Sequence, residues 1–200
     1  EPILSAAASP QGEVWLGAAS GIYRLDAARG PQREADEVAI ALAFDAEGRL
    51  WLCDAEGALR LLGQEALLNV REQVGELPRN MAFDGQGVLW LSLSQGVGRV
   101  TPEGEWSLIN GEEALLSPDV RRVAVGADDV LWAATARGLA RRLPSGRWTR
   151  FTVESTGGGL QSRDLRDVRL AEDGALWITT AAGVSRRSAE ADWAYLALPG

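Results

Sequence analysis

Short apolar runs of about four to six residues recur along the chain, each closed by a turn containing Gly and usually Asp. No window sustains a 3.6-residue apolar period over three turns, so the pattern predicts strands rather than helices. The clearest unit is residues 168–187, VRLAEDGALWITTAAGVSRR. It reads as an apolar run, an acidic turn ending in Gly174, a run centred on Trp177, a turn ending in Gly183 and a run carrying Arg186. Three such runs joined by tight turns predict an antiparallel meander.

Four weaker copies precede it, aligned on Trp15, Trp51, Trp90 and Trp132, so the five tryptophans are separated by 36, 39, 42 and 45 residues. Six residues after each Trp stands Gly21, Gly57, Gly96, Gly138 or Gly183, and nine after it Arg24, Arg60, Arg99, Arg141 or Arg186. Three residues before it the position holds Gly12, Gly48, Gly87, Asp129 and Gly174, residues that tolerate a left-handed backbone. A period near 40 marks a repeat architecture.

In each copy the first run, such as residues 40–45 or 122–126, predicts an inner strand, and the Trp run is rich in aromatic and branched residues, as a buried strand should be. The third run alternates apolar and polar residues, as a strand nearer solvent does. Fourth, outer strands are expected at residues 105–109, 147–153 and 192–198, and at 66–70 in the second copy. In the first copy the fourth strand falls at 32–36 or is absent, and the best helical candidate is residues 111–116.

Four-stranded meanders repeated about every 40 residues predict an all-β fold, a β-propeller of five four-stranded antiparallel blades. The blades fall at about 1–36, 37–76, 77–116, 117–161 and 162–200 of a single domain. The alternative is a five-blade fragment of a larger propeller.

Composition narrows the partners. A formal charge of -8 with both signs interspersed disfavours nucleic acid and anionic membrane, which need a concentrated basic patch. No apolar run approaches the roughly 18 residues of a membrane span. The lone Cys53 excludes an internal disulfide and a thiolate cluster, and its apolar strand predicts a small buried hydrophobe. The chain begins at Glu1 without Met, which leaves room upstream for a signal peptide or a neighbouring domain.

The chain contains no histidine, which removes the usual general base, the usual metal ligand and the Ser-His and Cys-His pairs together. Enzyme activity is therefore not expected, and a carboxylate pair acting on carbohydrate is the catalytic alternative. The acidic turns, such as DAEG at 45–48 and DGQG at 84–87, offer at most two carboxylates each and read as hairpin turns rather than calcium loops. No cofactor or metal is implied. The five repeated tryptophans are expected to fill the space between blades, and an Arg nine residues on can lie directly over the Trp ring if the hairpin register permits.

Ligand sites on a propeller form where unrepeated loops converge. The outer-to-inner connectors and the turns between second and third strands share one face by topology. That face gathers Arg79, Asn80, Asp119, Arg121, Arg163 and Asp164 from the connectors, with Asp54 and Arg137 from the turns. Its mixture of signs and amides suits a polar small molecule or a protein segment. The competing expectation is that these charges pair with one another across adjacent blades.

The pattern D-x-x-G-x-L-W-[IL]-x-T-x-x-G-[LV]-x-R, preceded by connectors such as LPRNMAF (77–83), LSPDVRRVAV (116–125) and LQSRDLRDVRL (160–170), resembles the two-component regulator propeller repeat. The resemblance covers nearly the whole chain. It implies a β-propeller and a bacterial, extracytoplasmic, ligand-sensing or partner-binding module, often for a carbohydrate, without a catalytic role. A structural scaffold within a larger assembly is the alternative. The motif itself carries no binding residue.

Overall fold

The computed structural model describes residues 2–196, and among these the fold is all-β apart from one short helix. Its five four-stranded antiparallel sheets are the blades of a β-propeller. The first holds β1 (Ile3–Ala8), β2 (Val14–Ala18), β3 (Gly21–Asp26) and β4 (Gly30–Ala35); the second β5 (Ala39–Phe44), β6 (Leu50–Asp54), β7 (Ala58–Leu61) and β8 (Ala66–Asn69). The third holds β9 (Asn80–Phe83), β10 (Leu89–Leu93), β11 (Gly96–Val100) and β12 (Trp106–Ile109); the fourth β13 (Val120–Val125), β14 (Leu131–Thr135), β15 (Gly138–Arg142) and β16 (Trp148–Phe151). The fifth holds β17 (Leu165–Leu170), β18 (Leu176–Thr180), β19 (Gly183–Arg187) and β20 (Trp193–Leu196). Each sheet pairs its strands in chain order. Of the outer strand expected at 192–198, Ala197 and Leu198 lie outside the described residues, as do the blade limits at 1 and 200.

The chain divides into two compact units, Glu1–Leu91 with Val100–Trp106, and Ser92–Arg99 with Ser107–Gly200. In the first unit Ile22, Ala39, Leu42, Leu50 and Leu52 form a core cluster joined by Trp15 and Phe44. In the second, Trp132, Leu139, Leu165, Val168, Leu176 and Ile178 do the same, joined by Phe151 and Trp193. Both clusters lie between the faces of consecutive blades. A strand covered on both faces needs no polar alternation, and β10 and β14 are buried at every position.

Three details depart from the sequence reading. Residues 111–116 form a turn, with Ala114 N–H and Leu115 N–H donating to Gly111 O, and the helix is instead α1 (Val70–Val74). There the Asn69 side chain caps Glu72 N–H, and Gly75 at φ +76° closes the end. Trp177, expected between blades, is 36% exposed, since in β18 Leu176, Ile178 and Thr180 take the buried face. The fourth strand of the first blade is present, as β4, from Gly30 rather than residue 32.

The hairpin between second and third strands sets the register. Trp15 faces Arg24, Trp132 faces Arg141 and Trp177 faces Arg186 directly. In the second blade Trp51 faces Leu61, and Arg60 faces Leu52. The loop there runs Ala55-Glu56-Gly57 rather than two residues, so the same spacing in sequence gives a one-residue slip and places Trp51 and Arg60 on opposite faces. At the inner turns Asp129, the one non-glycine of its set, adopts φ +57°, as that position requires.

Candidate functional site

A cavity of about 250 Å³ opens in the first unit, between the turns that join first to second strands in the second and third blades. Trp51, Leu67, Phe83 and Pro102 supply its apolar walls; Asp45, Glu47, Arg49 and the turn Gly85-Gln86-Gly87 supply polar groups. The Trp51 and Phe83 rings stand 5.7 Å apart at 53°. A second, more open depression of about 360 Å³ lies at the equivalent turns of the first and second blades, against Gln11, Glu13, Trp15 and Phe44.

Local hydrogen bonding fixes the cavity's shape. Asp45 Oδ2 accepts from the Trp51 indole N–H at 2.9 Å and from Arg49 Nε at 2.7 Å, while Oδ1 accepts from Arg49 N–H at 2.9 Å. Asp84 repeats this in the third blade, accepting from Trp90 Nε1 at 2.9 Å, Gln86 N–H at 3.0 Å and Val88 N–H at 2.9 Å. Burial pushes the Asp45 pKa up, but the bonds from Trp51 and Arg49 outweigh it and hold the carboxyl below its usual range. An ionised carboxylate with its lone pairs engaged positions an indole ring and abstracts no proton. The arrangement can bind: aromatic walls take the apolar face of a ring, and the side chains of Glu47, Arg49 and Gln86 offer polar contacts at its edge. The signal in sequence was Phe-Asp followed by Gly three residues on, FDAEG and FDGQG, found only in the second and third copies.

The residues expected at the connectors fall in both units. In the second, a bulge skips Arg121 in β13 and Arg166 in β17, just as Leu4 and Ile40 are skipped in β1 and β5. The bulge turns these side chains out of the ladder. Arg121 NH1 then lies 2.8 Å from Asp164 Oδ1 across the fourth and fifth blades and its Nε 3.6 Å from Asp119 Oδ2, while Arg166 NH2 lies 3.1 Å from Asp164 Oδ2. Asp164 Oδ1 meets Arg121 as an ion pair without hydrogen-bond alignment. Arg122 and Arg169 each pair with Asp167 at 3.2 Å. Arg163 pairs with Glu154 at 2.6 Å on the surface, and this bond holds the Glu154 pKa down to about 2. Arg137 is exposed, with its backbone N–H donated to Thr135 Oγ1.

In the first unit Asp54 binds Arg60 NH1 at 2.6 Å and accepts from the Glu56 and Ala58 N–H groups. Arg79 is exposed and Asn80 opens β9 half-buried. Thus Asp119, Arg121 and Asp164 converge, while Asp54 and Arg163 each pair with a residue outside the expected set.

Stacking on the repeat tryptophans varies by blade. Arg141 lies 5.7 Å from the Trp132 centroid and Arg186 5.6 Å from that of Trp177. Arg24, although opposite Trp15, meets Glu13 at 3.3 Å and Glu34 at 3.0 Å. Trp90 is buried in β10 and Arg99 half-buried in β11. Among the described residues no cluster of three or more metal-ligating side chains occurs.

No family model and no curated protein matches the sequence. Solved structures do match. The extracellular domain of a candidate one-component system from B. thetaiotaomicron aligns at TM-score 0.73 and 16% identity, over 98% of this chain and 29% of that one. The extracellular domain of a candidate hybrid two-component system from B. thetaiotaomicron aligns at 0.74 and 18%, over 97% of this chain and 28% of that one. What the likeness establishes is the propeller fold. The chain spans under a third of the length of these two domains. A catalytically inactive histidine-to-alanine variant of virginiamycin B lyase from Staphylococcus aureus, solved with quinupristin, aligns at 0.64 and 18%, over 96% and 68%.

Proposed function

We propose that this chain is a non-enzymatic binding module that takes a small polar ligand, such as a neutral sugar, in the cavity walled by Trp51 and Phe83. The lining carries this reading: two aromatic rings at an angle, beside the polar side chains of Glu47, Arg49 and Gln86, match the apolar face and hydroxyl edge of a pyranose. The volume of about 250 Å³ suits one sugar ring. The extracellular domains of a one-component and a hybrid two-component system among the structural neighbours support a sensing role and an extracytoplasmic location. The lyase offers no catalytic precedent here, because its variant lacking one histidine is inactive and this chain has none.

A second reading places a protein segment on the connector face of the second unit, at Asp119, Arg121, Arg163, Asp164 and Arg137; the exposed Arg137 and Arg163 favour it. The test is calorimetric titration with glucose, galactose and N-acetylglucosamine. Leu67→Glu and Gln86→Ala alter exposed lining residues and are expected to abolish binding, whereas Arg137→Ala and Arg163→Ala leave it unchanged. The reverse pattern assigns the connector face. Release of reducing sugar from oligosaccharides would overturn the non-enzymatic reading.

A further inference from the structure

Three of the repeat arginines meet carboxylates: Arg24 with Glu13 and Glu34, Arg60 with Asp54 and Glu37, and Arg186 with Asp173. Arg141 does not, among the described residues. Its guanidinium lies 5.7 Å from the Trp132 centroid and 5.6 Å from that of Phe151, with NH2 3.5 Å from Thr149 Oγ1. Asp128, which matches the Asp173 that serves Arg186, accepts from the Val130 N–H at 3.2 Å, as Asp173 does from the Ala175 N–H, but no bond joins it to Arg141.

A second cation reaches the same ring from the fifth blade. Arg187 lies 5.4 Å from the Trp132 centroid, opposite Trp193 in the ladder, and pairs with no carboxylate among the described residues. The Nε atoms of both arginines are buried without a hydrogen-bond partner. Burial and the charge of Arg141 both lower the Arg187 pKa. Phe151 and Trp193, 5.9 Å apart, wall the same seam. Two like charges beside one aromatic ring, with donors left over, are short of a counter-charge, and guanidinium forks match oxyanions in geometry and strength.

We propose that Arg141 and Arg187 form an oxyanion site at the seam between the fourth and fifth blades, taking a carboxylate, sulfate or phosphate group of a small ligand against Trp132 and Phe151. The site is independent of the neutral-sugar cavity. Isothermal titration of the whole chain with sodium sulfate, phosphate and acetate, against chloride at matched ionic strength, tests it. Arg141→Met and Arg187→Met are the test variants, and Arg33→Met, whose partner is the exposed Asp36, is the control. Sulfate or phosphate binding identifies a tetrahedral oxyanion and acetate binding a carboxylate. In either case each test variant weakens binding at least about tenfold while the control matches the wild type. Both test variants keep or gain thermal stability without anion, because each removes a half-buried cation that lacks a carboxylate partner. If either fails to fold, Arg187→Lys, which keeps charge and loses the fork, is expected to bind more weakly than wild type. Equal binding by test and control variants, or no binding of all three anions, overturns the proposal.

Discussion

Asp84→Ala tests how the inner turns hold the blade. The carboxylate accepts three hydrogen bonds, from Gln86 N–H, Val88 N–H and Trp90 Nε1, and Trp90 is 2% exposed. Gln86 is exposed, so water replaces that bond at little cost. Val88 N–H and the Trp90 indole N–H are buried, and orphaning each costs about 1–3 kcal/mol. Recovering the hydration of the carboxylate offsets part of this, leaving about 3 kcal/mol net. With a urea m-value of about 2 kcal/mol/M, the midpoint falls by about 1.5 M. Asp84→Asn keeps an acceptor for the two backbone groups but presents N–H to N–H at the indole, and loses about 1–2 kcal/mol. In a double-mutant cycle, Trp90→Phe removes the indole donor, so Asp84→Ala costs about 1–2 kcal/mol less in that background. A loss under 0.5 kcal/mol for Asp84→Ala, or no coupling to Trp90, refutes the reasoning.

Ala191 holds φ +78° in the turn before β20, where a Cβ is strained, so Ala191→Gly raises unfolding free energy by about 1 kcal/mol in urea titration. Gly138→Ala does the opposite: φ is +138° and a Cβ would meet Phe151 O at 2.7 Å, so a loss of about 2–4 kcal/mol is expected by the same measurement. Asp45 has its folded pKa lowered from 3.8, so its contribution is present above that value and lost as pH falls below it. Asp45→Asn should lower stability at neutral pH and flatten the acid limb below about pH 4 in a pH series of thermal melts. Cys53 is buried and its thiol is pushed up to about 12 by burial and by Asp54, so alkylation by iodoacetamide at pH 8 should proceed only after unfolding.

The blade plan was legible because it rests on local chemistry. Tryptophans at near-regular spacing, with glycines at the turns, define each hairpin, and Asp129 occupies the position where a left-handed residue was needed. Helix α1 was not legible: five residues are too few for a periodic pattern, and the Asn69 cap and Gly75 stop carry it. The slip at Arg60 was hidden because loop length, not spacing, decides register. The mutual pairing of Arg121, Asp119 and Asp164 was weighed as one outcome for the connector charges, yet which charges meet depends on the bulges in β13 and β17, which leave no mark in the sequence. The cavity was missed because Asp45 and Asp84 were read as turn caps alone, although both also receive a tryptophan N–H.

The meander order of the sheets has a kinetic consequence. Among the described residues every strand pairs only with its neighbours in sequence; in the fourth blade the widest pair, Val120 with Thr135, spans 15 residues. Loop closure on that scale is fast, so each blade can assemble from its own segment during synthesis without waiting for distant chain. The slow and cooperative step then falls to the docking of finished sheets, face on face, through side chains such as Leu165 and Ile178. Substitutions in hairpin turns should therefore change the rate of folding, and substitutions on the docking faces the rate of unfolding.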